Sequence, residues 1–261
     1  MPHASTPWLA ALESSSARLA ERAAALTLDE LDRPSFATDW SVAQVLSHLG
    51  SAAEISTTLL RRGIAGREDG PTAELVQPVW ARWDGMSPGD QRSAWLEADA
   101  RHRGALAELR PEDLDDVRIP YFSGLLDVAT YAGYRLSEQS VHGWDIDVAM
   151  DDAAVIPAAE VDLLLERIDL VATRFRDGAT LAELGTRQVA IELTDRPRGL
   201  TLDLGEELHL YPCTAGEAVG ALAGRAEHVL RLVYGRHRPG DRLRVAGELA
   251  LTDLQRLFPG Y

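Results

Sequence analysis

The chain has 261 residues, 46% of them hydrophobic, and a formal net charge of −15, with a pI near 4.8. That acidity argues against an electrostatic hold on nucleic acid or anionic lipid, and no apolar run approaches the ~18 residues of a membrane span. The lone cysteine, Cys213, excludes an internal disulfide and a thiolate-rich zinc site, and the N-terminus lacks a secretory pattern, so a cytoplasmic location is expected.

Trp8 to Leu26 place Leu9, Leu12, Leu19, Ala23 and Leu26 at helical spacing, an amphipathic first helix. Pro34 breaks the pattern. Ser41 then opens a second helix, with Gln44 three residues on as a capping box. Val45, Leu49 and Ala52 mark its buried face, and His48 lies on the edge of that face and should point inward; a lone histidine there is ordinarily a satisfied core residue. Arg62 to Pro71 reads as a surface loop, and Leu75, Val79 and Trp83 mark a short helix. Ser87-Pro88 is an N-cap followed by proline at N1, starting a helix with Trp95, Ala98, Ala105, Leu106 and Leu109. His102 in this helix sits among charges and is expected at the surface.

A long helix is predicted from Ser123 to about Met150. At about 100° per residue, Glu138, His142 and Asp145 stand at i, i+4 and i+7, within roughly 40° of Glu138 around the axis. Tyr131 and Tyr134 extend this polar stripe, flanked by Leu136, Val141, Trp144 and Val148. A carboxylate and an imidazole four apart can share one metal ion or simply a hydrogen bond, and the pair lacks a third ligand. Four main helices with short connections predict an antiparallel bundle.

After Asp151 the texture changes. One helix is predicted over Ala158 to Phe175, and then residues 189–194, 199–204 and 207–211 alternate as strands separated by turns. Residues 217–222 form a further candidate strand. Residues 226–236 read as a compact helix, and a strand with a short helix closes the chain. The expected architecture is α+β: a helical bundle over residues 1–152 and a smaller α+β domain over 153–261. His3, His209, His228 and His237 have no partner spacing that suggests a site. Cys213 ends a predicted strand outside every motif, so a reactive sulfur would come from a bound small thiol.

The segments Trp40 to Leu49 (WSVAQVLSHL) and Arg135 to Asp145 (RLSEQSVHGWD) resemble the mycothiol-dependent maleylpyruvate isomerase family of the DinB-like superfamily. Residues 224–236 (GRAEHVLRLVYGR), followed by VAGE, are similar to that family's C-terminal module. The resemblance implies a DinB-like four-helix bundle in which His48, Glu138 and His142 bind a divalent metal, usually zinc, with an open fourth position. It further implies mycothiol or a related thiol as cofactor, and a small electrophilic substrate that undergoes cis/trans isomerisation or S-transfer. An arginine of the second domain would meet the acidic substrate or the cofactor; Arg236 is the best match and Arg225 the competitor. Asp145 would hydrogen-bond a ligating histidine or the cofactor, or else sit at the bundle rim, and Tyr131 and Tyr134 would line the cofactor pocket, one of them as plain packing. A non-catalytic binding protein on the same scaffold and a metal-dependent hydrolase are the competing readings.

Overall fold

The computed structural model describes residues 3–37, 39–212 and 220–260. Cys213 and the start of the candidate strand at 217–222 lie outside them. The chain divides into two compact units, residues 1–155 and 156–261.

The first unit is built on four long helices, α1 (Thr6–Ala25), α3 (Val42–Ile64), α5 (Pro88–Ala107) and α7 (Val128–Met150), with short α2 (Leu28–Leu31), α4 (Ala73–Asp84) and α6 (Asp113–Asp116) between them. Helix α3 packs on α5 and α7, and α1 packs on the same two, which makes a four-helix bundle. Their starts follow local chemistry. The Ser41 hydroxyl accepts from the Gln44 amide while the Gln44 side chain accepts from the Ser41 amide, a reciprocal cap on α3. The Ser87 hydroxyl caps α5 with Pro88 in its first turn.

Helix α7 starts at Val128 rather than at Ser123. The preceding residues pair as a hairpin, β1 (Ile119–Tyr121) and β2 (Gly124–Leu126), with Gly124 at φ +100° in the turn. Asp127 then caps the helix, its carboxylate accepting from the Thr130 amide at 2.7 Å.

The bundle core falls into two apolar clusters. One gathers Leu46, Leu49, Trp83, Trp95 and Ile146, and the other Leu59, Leu60, Ile119, Val128 and Tyr131. Between them the same helices bury polar side chains: Ser15 and Ser16 from α1, Asp99 and His102 from α5, and Arg135 and His142 from α7. A polar belt therefore crosses the middle of the bundle, and this belt contains the candidate site.

In the second unit, α8 (Ala158–Leu165), α9 (Ile168–Phe175) and α10 (Gly178–Leu184) precede β3 (Arg187–Leu193), β4 (Gly199–Leu204), β5 (Leu208–Pro212) and β6 (Gly220–Gly224). Helix α11 (Ala226–Val233), β7 (Arg244–Ala246) and α12 (Leu251–Leu257) follow. The sheet order is β5-β4-β3-β6-β7, with β3 and β6 parallel and the other pairs antiparallel. The single helix expected over 158–175 is two. The amides of Glu166 and Arg167 bond three residues back, to Leu163 and Leu164, which closes α8 with a tighter turn before α9 begins. Helix α10, which the periodicity did not indicate, is started by Asp177, whose carboxylate accepts from the Thr180 amide.

Candidate metal centre

Tyr131, Arg135, Glu138, His142 and Asp145 lie at i, i+4, i+7, i+11 and i+14 of α7, within roughly 40° of one line along the axis. Helix α3 brings His48 to the same place. Its Nε2 lies 2.9 Å from Glu138 Oε2, and His142 Nε2 lies 3.8 Å from that same oxygen. One donor atom from each of the three residues falls within 4.8 Å of the others. The helix-face alternative fails on distance: Glu138 is too far from His142 for a hydrogen bond and pairs with His48 on the other helix.

Orientation is set from behind. Asp145, fully buried, accepts from His142 Nδ1 at 2.9 Å, which holds that proton on Nδ1 and leaves the Nε2 lone pair facing Glu138 and His48. Asp145 is thus inside the bundle rather than at its rim, with its carboxylate on His142. The Phe36 amide donates to the Asp145 carbonyl at 3.1 Å, so the loop before α3 is tied to α7 at this point. That loop places the Trp40 ring against His48, with centroids 5.1 Å apart.

Burial by itself would raise the Glu138 carboxyl, but the hydrogen bond from His48 and the electrostatic pull of His142, His48 and Arg135 outweigh it and hold the group at about 2. The site therefore presents a carboxylate and two imidazoles converging from two helices. Such a donor set can hold one divalent cation and leave a position open.

Two residues behind the triad differ from expectation or were missed. His102 is buried, not at the surface: its Nε2 donates to the Tyr131 hydroxyl at 2.7 Å, and that hydroxyl donates to the Ser56 carbonyl at 3.1 Å. Burial pushes His102 down to about 3, so it is neutral. Its position had a signal, since Trp95, Ala98, Asp99, His102 and Ala105 form one helical stripe. Tyr131 is buried with its hydroxyl shared between His102 and the Ser56 carbonyl, and Tyr134 is half-buried. Arg135, one turn before Glu138, is buried, and its Nε and Nη1 have no hydrogen-bond partner among the described residues.

In the second unit, Arg236 is buried and its Nη1 donates to the Tyr234 carbonyl at 2.8 Å. Arg225 is 64% exposed and pairs with Asp195 at 3.5 Å. Arg231, a buried neighbour of Arg236, bridges Glu227 and Asp241 and is occupied structurally. His228 and His237 flank the same Asp241.

A helical bundle that gathers two histidines and a glutamate in a polar belt defines a class of potential metal proteins, and sequence comparison narrows it. The family described as the mycothiol maleylpyruvate isomerase N-terminal domain matches residues 12–147, just over half of the chain, and the chain belongs to that family. A solved mycothiol-dependent maleylpyruvate isomerase superposes with a TM-score of 0.66 at 15% identity, covering 93% of each chain. A histidine-to-alanine mutant of that enzyme superposes with a TM-score of 0.62 at 14% identity over the same shares. At these identities the likeness shows the fold alone, α+β with a helical N-terminal bundle. No curated protein matches the sequence.

Proposed function

We propose that the chain is a metal-dependent enzyme using mycothiol or a related small thiol, with His48, Glu138 and His142 as protein ligands of one divalent metal. Two imidazoles and a carboxylate suit zinc. The observation that carries this reading is the convergence of the three donors within 4.8 Å, with His142 held by a buried carboxylate on its far nitrogen. Family membership supplies the thiol.

Bound there, a divalent metal would supply a Lewis acid that ionises a small thiol near neutral pH. The chain's own contribution is orientation. Asp145 keeps the His142 proton on Nδ1, and the cross-helix pairing of His48 with Glu138 keeps both side chains turned to the same point. A thiolate adding to an activated alkene forms a C–S bond and turns the double bond into a single one. Rotation followed by expulsion of the thiolate restores the alkene as its geometric isomer. Displacement of a leaving group by the same nucleophile is S-transfer.

Arg236 is assigned to a carboxylate of the electrophile or the cofactor. A buried guanidinium makes a strong planar fork, whereas the exposed Arg225 already pairs with Asp195. Tyr134, one turn before Glu138, is the tyrosine left to line the pocket.

Metal analysis with turnover measured in the presence and absence of mycothiol tests the proposal. The protein should carry stoichiometric metal, His48→Ala, Glu138→Ala and His142→Ala should each lose it, and turnover should require the thiol. Full metal in both histidine variants overturns the reading, and turnover without thiol makes the protein a hydrolase instead. Arg236→Ala should impair turnover at unchanged metal content.

A further inference from the structure

Helix α11 ends on a turn with a single geometry. Gly235 stands at φ +71°, its amide donates to the Leu232 carbonyl at 3.0 Å, and the Arg236 amide donates to the Arg231 carbonyl at 2.7 Å. These two bonds close a helix on a left-handed glycine and are sufficient for that purpose. Two further devices act on the same turn. The first is the buried Arg231, which donates from Nη1 to the Arg236 carbonyl at 3.0 Å and so holds the Arg236 main chain at both its amide and its carbonyl. The same guanidinium donates from Nε to Glu227 at 2.8 Å and from both Nη atoms to Asp241. All three of its nitrogens are committed, so Arg231 is not itself a receptor for an anion.

The second device is a contact between two backbones. A Cβ on Gly235 would lie 2.3 Å from the Gly260 Cα, and one on Gly260, at φ +87°, would lie 3.2 Å from the Tyr234 carbonyl oxygen and 3.4 Å from Arg236 Nη1. The segment after α12 therefore seats directly on the turn. It closes over the Arg236 side chain, whose Nη1 donates to the Tyr234 carbonyl and which is left only 4% exposed.

We infer that Arg231, Gly235 and Gly260 are positioning residues for Arg236: together they fix its main chain and fold back its guanidinium, so that the charge is offered to a carboxylate at one place. The physical ground is cost. Burying Arg231 against two carboxylates takes three charges out of water for little net stability over apolar packing, and a helix end requires neither that cluster nor a second glycine. A free arginine side chain has rotamer freedom that an anion would have to remove on binding, and a side chain already ordered spares that loss. The inference rests on the reading of Arg236 as the residue that meets a carboxylate of the electrophile or the cofactor.

Nitrogen-15 relaxation of the arginine Nε–H groups reads the positioning directly, with Arg236 assigned by the signal missing in Arg236→Lys and the exposed Arg225 as the mobile reference. The Arg236 order parameter should lie in the rigid range, about 0.85, and fall below about 0.6 in Arg231→Lys, which keeps the charge but cannot span Glu227, Asp241 and the Arg236 carbonyl. Gly260→Ala should do the same while leaving the donors of Arg231 unchanged. Circular-dichroism melts check each fold, and if Arg231→Lys fails to fold, Gly260→Ala decides. With mycothiol and maleylpyruvate, the substrate in the relative's name, both variants should raise KM about tenfold at unchanged metal content. Neither should lower turnover further in an Arg236→Ala background, because a positioning residue acts only through the group it positions. A mobile Arg236 in the native protein, an equally rigid one in the folded variants, or an added loss on top of Arg236→Ala overturns the inference. Loss of rigidity in the variants together with full turnover by Arg236→Ala leaves the positioning standing and removes the role proposed for Arg236.

Discussion

Asp145→Asn isolates the positioning of His142 from ligation itself. In the native site the Asp145 carboxylate is fully buried and accepts from His142 Nδ1 at 2.9 Å. The amide of asparagine has the same shape, but only two arrangements are open to it. Its oxygen can accept from Nδ1–H as a neutral bond, which forfeits the charge assistance. Its NH₂ can donate to Nδ1, which moves the imidazole proton to Nε2 and takes away the lone pair facing Glu138 and His48. A charge-assisted hydrogen bond contributes roughly 1.5–3 kcal/mol, and a lost partner behind a metal-ligating histidine costs about 10–100-fold in affinity. Since tenfold is about 1.4 kcal/mol, the two figures agree. Competition with a chromophoric chelator for Zn²⁺, alongside far-UV circular dichroism, should show a native fold and a dissociation constant raised within that range. His142→Ala should be weaker still. A dissociation constant unchanged within about twofold of the native one would refute the argument that Asp145 acts through His142.

His102 makes stability pH-dependent. Its ordinary value of 6.5 is lowered to about 3 in the fold, so the unfolded chain binds the extra proton; stability is fully present above 6.5 and is lost as pH falls toward 3. At about 1.4 kcal/mol per pH unit the loss at pH 5 is about 2 kcal/mol, and urea titrations of His102→Gln should show a shallower acid slope. Tyr131→Phe removes the hydroxyl shared by His102 and the Ser56 carbonyl and should cost about 1–3 kcal/mol in the same assay without changing metal content. Gly50→Ala places a Cβ 2.2 Å from the ring of the buried Trp83, whose Nε1 donates to Glu54 at 3.1 Å. Overpacking of about 1–3 kcal/mol against a helix-propensity gain of about 1 leaves a net loss near 1 kcal/mol; a higher urea midpoint would mean that the Trp83 ring gives way freely.

Whatever depends on neighbours in the chain was legible from the sequence alone. The Ser41–Gln44 cap, the Ser87-Pro88 start, the alternation of β3, β4 and β5, and the one-turn spacing of Glu138 and His142 are local features that the backbone geometry of helix and strand enforces. The start of α7 and the break between α8 and α9 were not, because a hairpin pairing and a tightened turn override helical periodicity there. The interior of the bundle was the harder case. A polar stripe on a helix reads the same whether it faces water or a polar belt between two apolar clusters, so His102 looked exposed and Arg135 drew no attention. Only packing decides between the two, by placing Tyr131 against His102 and an α3 histidine against an α7 glutamate ninety residues away. That His48 pairs with Glu138 is a fact of tertiary structure, because no local spacing links α3 to α7, whereas His142 and Asp145 pair within one turn of α7.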